Sequence, residues 1–345
     1  MTSRATAALD ALNALSARIG ADPLLVQGGG GNTSVKFDGT LWVKASGTWL
    51  AQARERDIFV PLPLDEVRAA LRHADGETRL ARLGDPQALR PSIETSLHAL
   101  LPHPVVAHVH SVNTIAWAVR ADARERLSAL LKDLNWAWVP YRRPGYPLTQ
   151  AVRDVLAERE ADVLVLANHG LVVGADDCAA ADALLGEVER RLGLPARAPT
   201  AGDPARLHAV NDLNWELPSD AGVHALATDA IAMAIARDGA LYPDHAVFLG
   251  ARAAVLQDND ALSDAVARAT AAGGVAPAFA LLPGAGVLVA PGLSPGAQAM
   301  LLCLALVALR LSGDETLVYL GDEDVAALVD WEAEAYRRAL SRPGH

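Results

Sequence analysis

The segment Val105-Val106-Ala107-His108-Val109-His110 constrains the fold of this chain more than any other stretch. β-Branched residues at this density favour a buried strand, whose side chains alternate between two faces. In an extended chain, residues i and i+2 point to the same side about 7 Å apart, so His108 and His110 can converge on one ion. Whatever covers that face must leave room for two imidazoles at the strand's end. The alternative is a pair of half-buried surface histidines with no shared task.

Further along, Asp162 to Leu166 reads as a buried strand, Asn168-His169-Gly170 as a turn at its end, and Leu171 to Val173 as strand again. A catalytic zinc takes three protein ligands and keeps one position open. His108, His110 and His169 match that number and type, for Zn2+ or another divalent transition metal. Upstream, Pro91-Ser92 marks the start of a helix over Ile93 to Leu101, with Ser92 suited to the N-cap and Glu94 in the first turn. Beside a metal, Glu94 is a candidate proton carrier; without one it is an ordinary solvated glutamate. His98 lies four residues on, on the same helix face, and reads as a packing or supporting residue rather than a ligand.

Two loops offer weaker signals. Gly28 to Gly31 can bring backbone N–H groups close to an anion, with Asn32 and Ser46 as added side-chain donors, or it is simply a flexible loop. Neither a Walker motif nor GxGxxG spacing is present. Tyr141, Arg142 and Arg143 sit in a loop punctuated by Pro144 and Gly145; near a metal the tyrosine can act as acid or base, and the arginines can pair with phosphate or carboxylate.

Charge excludes some partners. A net charge of −11 argues against a broad nucleic-acid face and against an acidic membrane surface, since both require clustered Lys and Arg. A small anionic substrate in a locally positive pocket remains compatible with it. The longest apolar run, Ala299 to Leu309, is about half a membrane span and reads as a buried helix. Cys178 and Cys303 are far apart in apolar helical stretches, and buried thiols explain them best. Met1 to Leu15 reads as the start of an amphipathic helix rather than a secretory signal. The expected compartment is the reducing cytoplasm.

The remaining organisation follows from local patterns. A helix is expected over Ala5 to Arg18, stopped by Gly20. Asp38-Gly39 joins Ser34–Phe37 to Thr40–Lys44 as a hairpin. Helices are expected over Thr114 to Arg120 and Asp177 to Leu192. Prolines, alanines and glycines cluster between Gly193 and Asp220, which places a domain boundary at 214/215. Beyond it, Ala246 to Leu249 and Gly286 to Val289 look β-like, with helices near 260–270, 296–311 and 324–340.

Taken in order, Gly31-Asn32-Thr33-Ser34, Lys44-Ala45-Ser46-Gly47, Ser92-Ile93-Glu94 with His98, His108-Val109-His110, Pro140-Tyr141 and Asn168-His169-Gly170 resemble the class II aldolase/adducin family. The resemblance spans roughly residues 5–195. It implies a three-layer α/β/α sandwich around a mostly antiparallel sheet, assembled as a homotetramer with sites at subunit interfaces. It implies that His108, His110 and His169 are zinc ligands and that Glu94 moves a proton at the carbon next to a ketone. Asn32, Ser46, Gly47 and Ser92 match phosphate-contacting positions. Tyr141 matches a tyrosine that reaches a neighbouring subunit's site.

The implied reaction is zinc-dependent retro-aldol cleavage of a ketose phosphate or related sugar acid, through a metal-stabilised enediolate. The same site can instead epimerise or dehydrate a sugar phosphate, and the family also contains adducin-like interaction modules without catalysis. In this sequence Ile93 stands where many members carry a second hydroxyl residue, so one side-chain phosphate contact is missing and only a backbone N–H could remain there. The region 215–345 exceeds the compact members. Its Leu241-Tyr242-Pro243-Asp244-His245, Pro283-Gly284-Ala285-Gly286 and Trp331-Glu332-Ala333-Glu334 resemble the extended aldolase part of bifunctional rhamnulose-phosphate aldolase/dehydrogenases. No dinucleotide fingerprint follows, so the resemblance is expected to stop there. That appendage is expected to be a small α/β domain in which His245 is more structural than substrate-binding.

Overall fold

Short β-rich runs between Asn32 and Ala175 assemble into one seven-stranded sheet. Its strands are β1 (Asn32–Phe37), β2 (Thr40–Lys44), β3 (Phe59–Pro63), β4 (Val105–Val109), β5 (Trp136–Val139), β6 (Val163–Leu166) and β7 (Gly170–Ala175), in the order β3-β2-β1-β4-β7-β6-β5. Neighbours pair antiparallel except β5 and β6, which run parallel. Asp38 and Gly39 both have positive φ (48° and 73°), which matches the right-handed twist of the β1–β2 hairpin. This computed structural model describes residues 3–73, 75–80, 82–83, 89–198, 200–273, 275–332 and 334–335.

Two compact units are present, residues 1–114 with 124–193, and residues 115–123 with 194–345. In the first unit the helices are α1 (Ser3–Gly20), α2 (Leu64–Ala70), α3 (Gly76–Leu80), α4 (Thr95–Leu100), α5 (Val112–Ala118), α6 (Ala123–Leu130), α7 (Tyr146–Glu158) and α8 (Cys178–Leu192); α5 and α6 each carry residues of both units. The alternation of β4 assigns its two faces. Val106 joins Leu97, Leu101, Leu148, Val152, Leu164 and Val172 in the core beneath α4 and α7. Thr33, one residue out of phase with Ser34, instead points to α1, where its hydroxyl meets Ser16 Oγ at 2.7 Å. Strand β4 is buried at every position, which is why its run is continuously apolar apart from the histidine. Helices thus cover both faces, and the expected three-layer α/β/α arrangement around a mostly antiparallel sheet is present.

The second unit carries a three-stranded sheet of β8 (Ala254–Val255), β9 (Phe279–Leu282) and β10 (Gly286–Val289), ordered β10-β9-β8. Its helices are α9 (Pro204–Val210), α10 (Ala225–Thr228), α11 (Ala230–Asp238), α12 (Pro243–Leu249), α13 (Leu262–Gly273), α14 (Pro295–Ala308) and α15 (Asp322–Val329). Leu207, Leu256, Leu262, Ala265 and Leu288 form a core under this sheet. Helix α14 is buried at Met300, Leu301, Cys303, Leu304 and Val307, which accounts for its nearly unbroken apolar sequence.

Three expectations change. Ala246–Leu249 lies in α12, not in a strand: Pro243 occupies the first helical turn, and all seven residues of the helix are buried, so no exposed face reveals its period. The units divide at Gly193/Leu194 rather than at 214/215, because residues 194–214 pack with the second unit. Asp203 N–H donates to Ala285 O at 2.7 Å, and Leu207 lies in that unit's core. The helix expected over 324–340 is α15, running over Asp322–Val329, while 333 and 336–340 fall outside the described residues. No described helix is long and apolar enough to cross a membrane.

Candidate metal centre

Register places the first polar groups. Asn32 pairs with His108 across β1 and β4, and His108 pairs with Val172 across β4 and β7, so all three face α4. Two residues on, His110 leaves the same face at the strand's end. His169 arrives from the β6–β7 turn, where Asn168 takes a left-handed conformation (φ 52°) of the kind asparagine tolerates. Glycines let the flanking chains close in. A Cβ on Gly170 would lie 2.4 Å from Val109 O, and one on Gly31, whose φ is 59°, would lie 2.9 Å from His108 O.

The three histidines are buried, and their ligand atoms all lie within 4.8 Å of one another. Their ring centroids form a near-equilateral triangle of 4.9, 5.0 and 5.2 Å. His108 Nδ1 faces the carbonyl of Leu171 at 3.0 Å and must donate to it, which leaves Nε2 with its lone pair directed inward. That lone pair meets His110 Nε2 at 3.2 Å and Glu94 Oε2 at 3.3 Å. Only a cation among them, a proton or a metal ion, reconciles so many electron-rich atoms in a buried space. Three imidazoles with a supporting carbonyl fit zinc or another divalent transition metal.

Glu94 is not one turn into the helix, as its sequence position suggests. It is the N-cap residue of α4, and Ser92 Oγ accepts its backbone N–H at 3.2 Å. The turn that begins at Ser92 holds the carboxylate against the histidines, with Oε1 3.7 Å from His169 Nε2. Burial pushes this carboxyl up, but His108 and His169, the hydrogen bond from Asn32 Nδ2 (2.8 Å) and then His110 outweigh it and hold it at about 2. Glu94 is therefore ionised, and it acts on a proton only as a base or after receiving one.

His98 lies deeper. Its Nε2 bonds Asn32 Oδ1, and its Nδ1 lies 2.7 Å from Ser34 Oγ. Burial above all holds its pKa down at about 3; the Glu94 carboxylate raises it, and His108, Lys36 and Lys44 lower it further. The ring is neutral at neutral pH.

Of the remaining candidates, Ser46, Gly47 and Ser92 lie around the glycine loop and the end of β2. Ser46 and Gly47 follow β2, and Ser46 N–H donates to Arg90 O at 2.8 Å. A Cβ on Gly29 would lie 3.3 Å from Gly47 O, so the two loops are in backbone contact. Lys44, almost fully buried, donates from Nζ to Gly29 O at 3.0 Å and so ties the glycine loop to β2. Ser92 N–H donates to Lys44 O at 3.0 Å, which joins the start of α4 to the same strand end. Tyr141 is half-buried in the loop after β5, and the exposed Arg142 donates to its carbonyl at 2.8 Å. His245, buried in α12, accepts the Leu241 N–H at Nδ1 (3.3 Å).

Sequence reasoning left three contributors unassigned: Ser34, the Leu171 carbonyl and the Lys44 ammonium. Ser34 alternates with Asn32 on β1, and that signal could have placed it on the same face. The Leu171 carbonyl and the Lys44–Gly29 bond depend on which strands are neighbours, and no local pattern carries that.

The profile of the Class II Aldolase and Adducin N-terminal domain matches residues 13–194. The uncharacterized oxidoreductase YuxG of Bacillus subtilis (strain 168) is 34% identical over 170 residues, which cover 45% of this chain and 24% of that protein. The chain thus spans about a quarter of that relative's length. Among solved structures, the N-terminal class II aldolase domain of a conserved protein from Thermoplasma acidophilum is 28% identical, covering 53% of this chain and 91% of its own, with a TM-score of 0.47. A sugar-phosphate aldolase from Thermotoga maritima is 15% identical, covering 55% and 94%, with a TM-score of 0.43.

Proposed function

The chain belongs to the class II aldolase and adducin family, and on that footing we propose that it catalyses metal-dependent retro-aldol cleavage of a ketose phosphate or related sugar acid. The observation that carries this reading is the buried triangle of His108, His110 and His169 with an ionised Glu94 against it. An interaction module without catalysis has no use for so many buried titratable groups, each of which costs free energy to desolvate.

His108, His110 and His169 would hold the ion, zinc in the first instance. When bound, it supplies Lewis-acid stabilisation of the negative charge that develops beside a ketone during C–C cleavage. The protein's own groups do the rest. Tyr141 is proposed to take the proton from the hydroxyl on the far carbon of the bond that breaks, the carbon that becomes the aldehyde, in its own or a neighbouring subunit's site. Glu94 is proposed to move the proton at the carbon next to the ketone. Asn32, Ser46, Gly47 and Ser92, with the backbone of the glycine loop, are proposed to receive the phosphate or carboxylate end of the substrate. Asn32 and Ser92 also bond Glu94, so anion binding and the acid/base group share supports. Assembly as a homotetramer, through which Tyr141 could reach a neighbour, is part of the same reading.

The test is metal content of the wild type beside His108→Ala, with a screen of ketose phosphates and sugar acids for aldehyde release. One metal ion per chain, lost in the folded variant, with aldehyde from at least one compound is expected. Metal without aldehyde would redirect the reading to an epimerase or dehydratase on the same site. A fully metallated His108→Ala would remove that histidine from the ligand set.

A further inference from the structure

Strand β1 grips helix α4 along its whole length. Asn32, Ser34 and Lys36 alternate onto the α4 face and bond it in sequence, from its N-cap through His98 to the chain just past its C-terminal end. Asn32 reaches Glu94 and His98, Ser34 reaches His98, and Lys36 Nζ donates to Leu101 O and His103 O at 2.7 and 2.6 Å. Ser34 and His98 are fully buried, and Asn32 and Glu94 nearly so.

The directions of these bonds are fixed by chemistry. A carboxylate only accepts, so Asn32 must turn its NH2 to Glu94 Oε2 and its Oδ1 to His98. An amide oxygen also only accepts, so His98 must present Nε2–H. A neutral ring with its proton on Nε2 has a bare Nδ1, and Ser34 is then the donor to it. Reversing any one bond sets lone pair against lone pair between buried groups.

We propose that Ser34 and His98 are positioning residues: through the one-way chain Ser34 → His98 → Asn32 → Glu94 they fix the Asn32 amide and hold the Glu94 carboxylate at the histidines. The chain ties up Oε2, so Oε1 is the oxygen available for proton transfer. This inference rests on the reading of Glu94 as the proton carrier. It adds that the carrier's geometry is set from the middle of α4 and from a strand residue that touches neither metal nor substrate. Burial above all keeps His98 neutral against the pull of the Glu94 carboxylate, so the chain keeps its direction across the working pH range.

The test uses the full chain labelled with 15N-histidine and 15N-asparagine, together with His98→Leu and His98→Gln. Long-range proton–nitrogen spectra are expected to show His98 with Nε2–H and a pyridine-type Nδ1, unchanged between pH 6 and 8. In His98→Leu, kcat is expected to fall by about tenfold or more, with metal content near wild type and a smaller rise in KM from the loosened Asn32 amide. His98→Gln, whose amide can donate to Asn32 Oδ1, is expected to recover part of that loss. A His98 found as the Nδ1–H tautomer or as imidazolium at neutral pH overturns the proposal, and so does a wild-type kcat in His98→Leu. Should the wild type cleave nothing, the proposed reaction falls and the Asn32 side-chain NH2 decides the inference. Slow hydrogen exchange there, lost in His98→Leu, supports it; equal exchange in both overturns it.

Discussion

Glu94 sits where opposing pulls on one proton meet. Burial favours the neutral acid, while the imidazoles and the Asn32 amide favour the carboxylate and win. Glu94→Gln keeps the size and the hydrogen-bonding oxygen but cannot carry a proton. It is expected to retain the metal and to lower kcat by about 10²–10⁴, read in steady-state kinetics beside metal analysis. Lys36 gives a second test at this scale. Burial, assisted by the neighbouring Arg68, lowers its pKa from 10.5 to about 7. Between those values the unfolded chain binds the extra proton, so Lys36 makes stability rise with pH across that window. The wild type should therefore gain stability from pH 7 to 10 relative to Lys36→Met, measured by denaturant titration at each pH. A parallel pH dependence in the two proteins would remove Lys36 as the cause. Of the centre itself, His108, His110 and His169 are legible in sequence, because histidine at strand ends is an unusual choice with a local pattern. The N-cap position of Glu94 and the reach of Ser34 to His98 are not, since both depend on how one strand lies against one helix.

At the scale of elements, β4 is held between two glycines, and this allows its neighbours to come so close to the histidine backbone. Gly170→Ala would place a methyl group 2.4 Å from Val109 O and force β7 away from β4. Denaturation is expected to show a loss of about 1–3 kcal/mol, together with weaker metal retention because His169 shifts with the turn. Gly39→Ala is the control: its φ of 73° strains an alanine by about 1 kcal/mol, yet nothing lies within 4 Å of the new Cβ, so metal retention should not change. Strands β1, β2, β4, β6 and β7 are readable from sequence, whereas the two edge strands, β3 and β5, are not. β-Branched runs bounded by Asp-Gly, Pro and Gly have few alternatives, and the β1–β2 hairpin falls where its turn residues put it. The segment Ala246–Leu249 was misread for a physical reason. An apolar run buried on every side has neither period 2 nor period 3.6 to show, and only Pro243 at its start hinted at a helix.

At the scale of the molecule, composition is a poor guide to where one unit ends, because a segment without regular structure can still be pinned by charge. The Pro- and Ala-rich stretch after α8 reads as a linker, yet Arg197 anchors it within the second unit. Its guanidinium pairs with both oxygens of Asp229 at 2.8 Å, donates to Ala308 O at 3.0 Å and also bonds Leu311 O, while its backbone N–H donates to Leu309 O at 2.9 Å. One side chain thus joins the connecting segment to the N-cap of α11 and to the carbonyls that close α14. A bidentate fork of this kind is geometrically specific, and lysine cannot reproduce it. Both Arg197→Lys and Arg197→Met are expected to destabilise the second unit, Met by about 1–3 kcal/mol. Hydrogen exchange read by mass spectrometry should then quicken in residues 194–198, 229–233 and 308–312. Protection at 105–110 and 169–175 should stay as in the wild type, since the candidate metal centre is built wholly from residues of the first unit. Faster exchange at β4 and β7 in these variants would mean that the first unit depends on that anchor, and that the division at Gly193/Leu194 does not separate two independently stabilised cores.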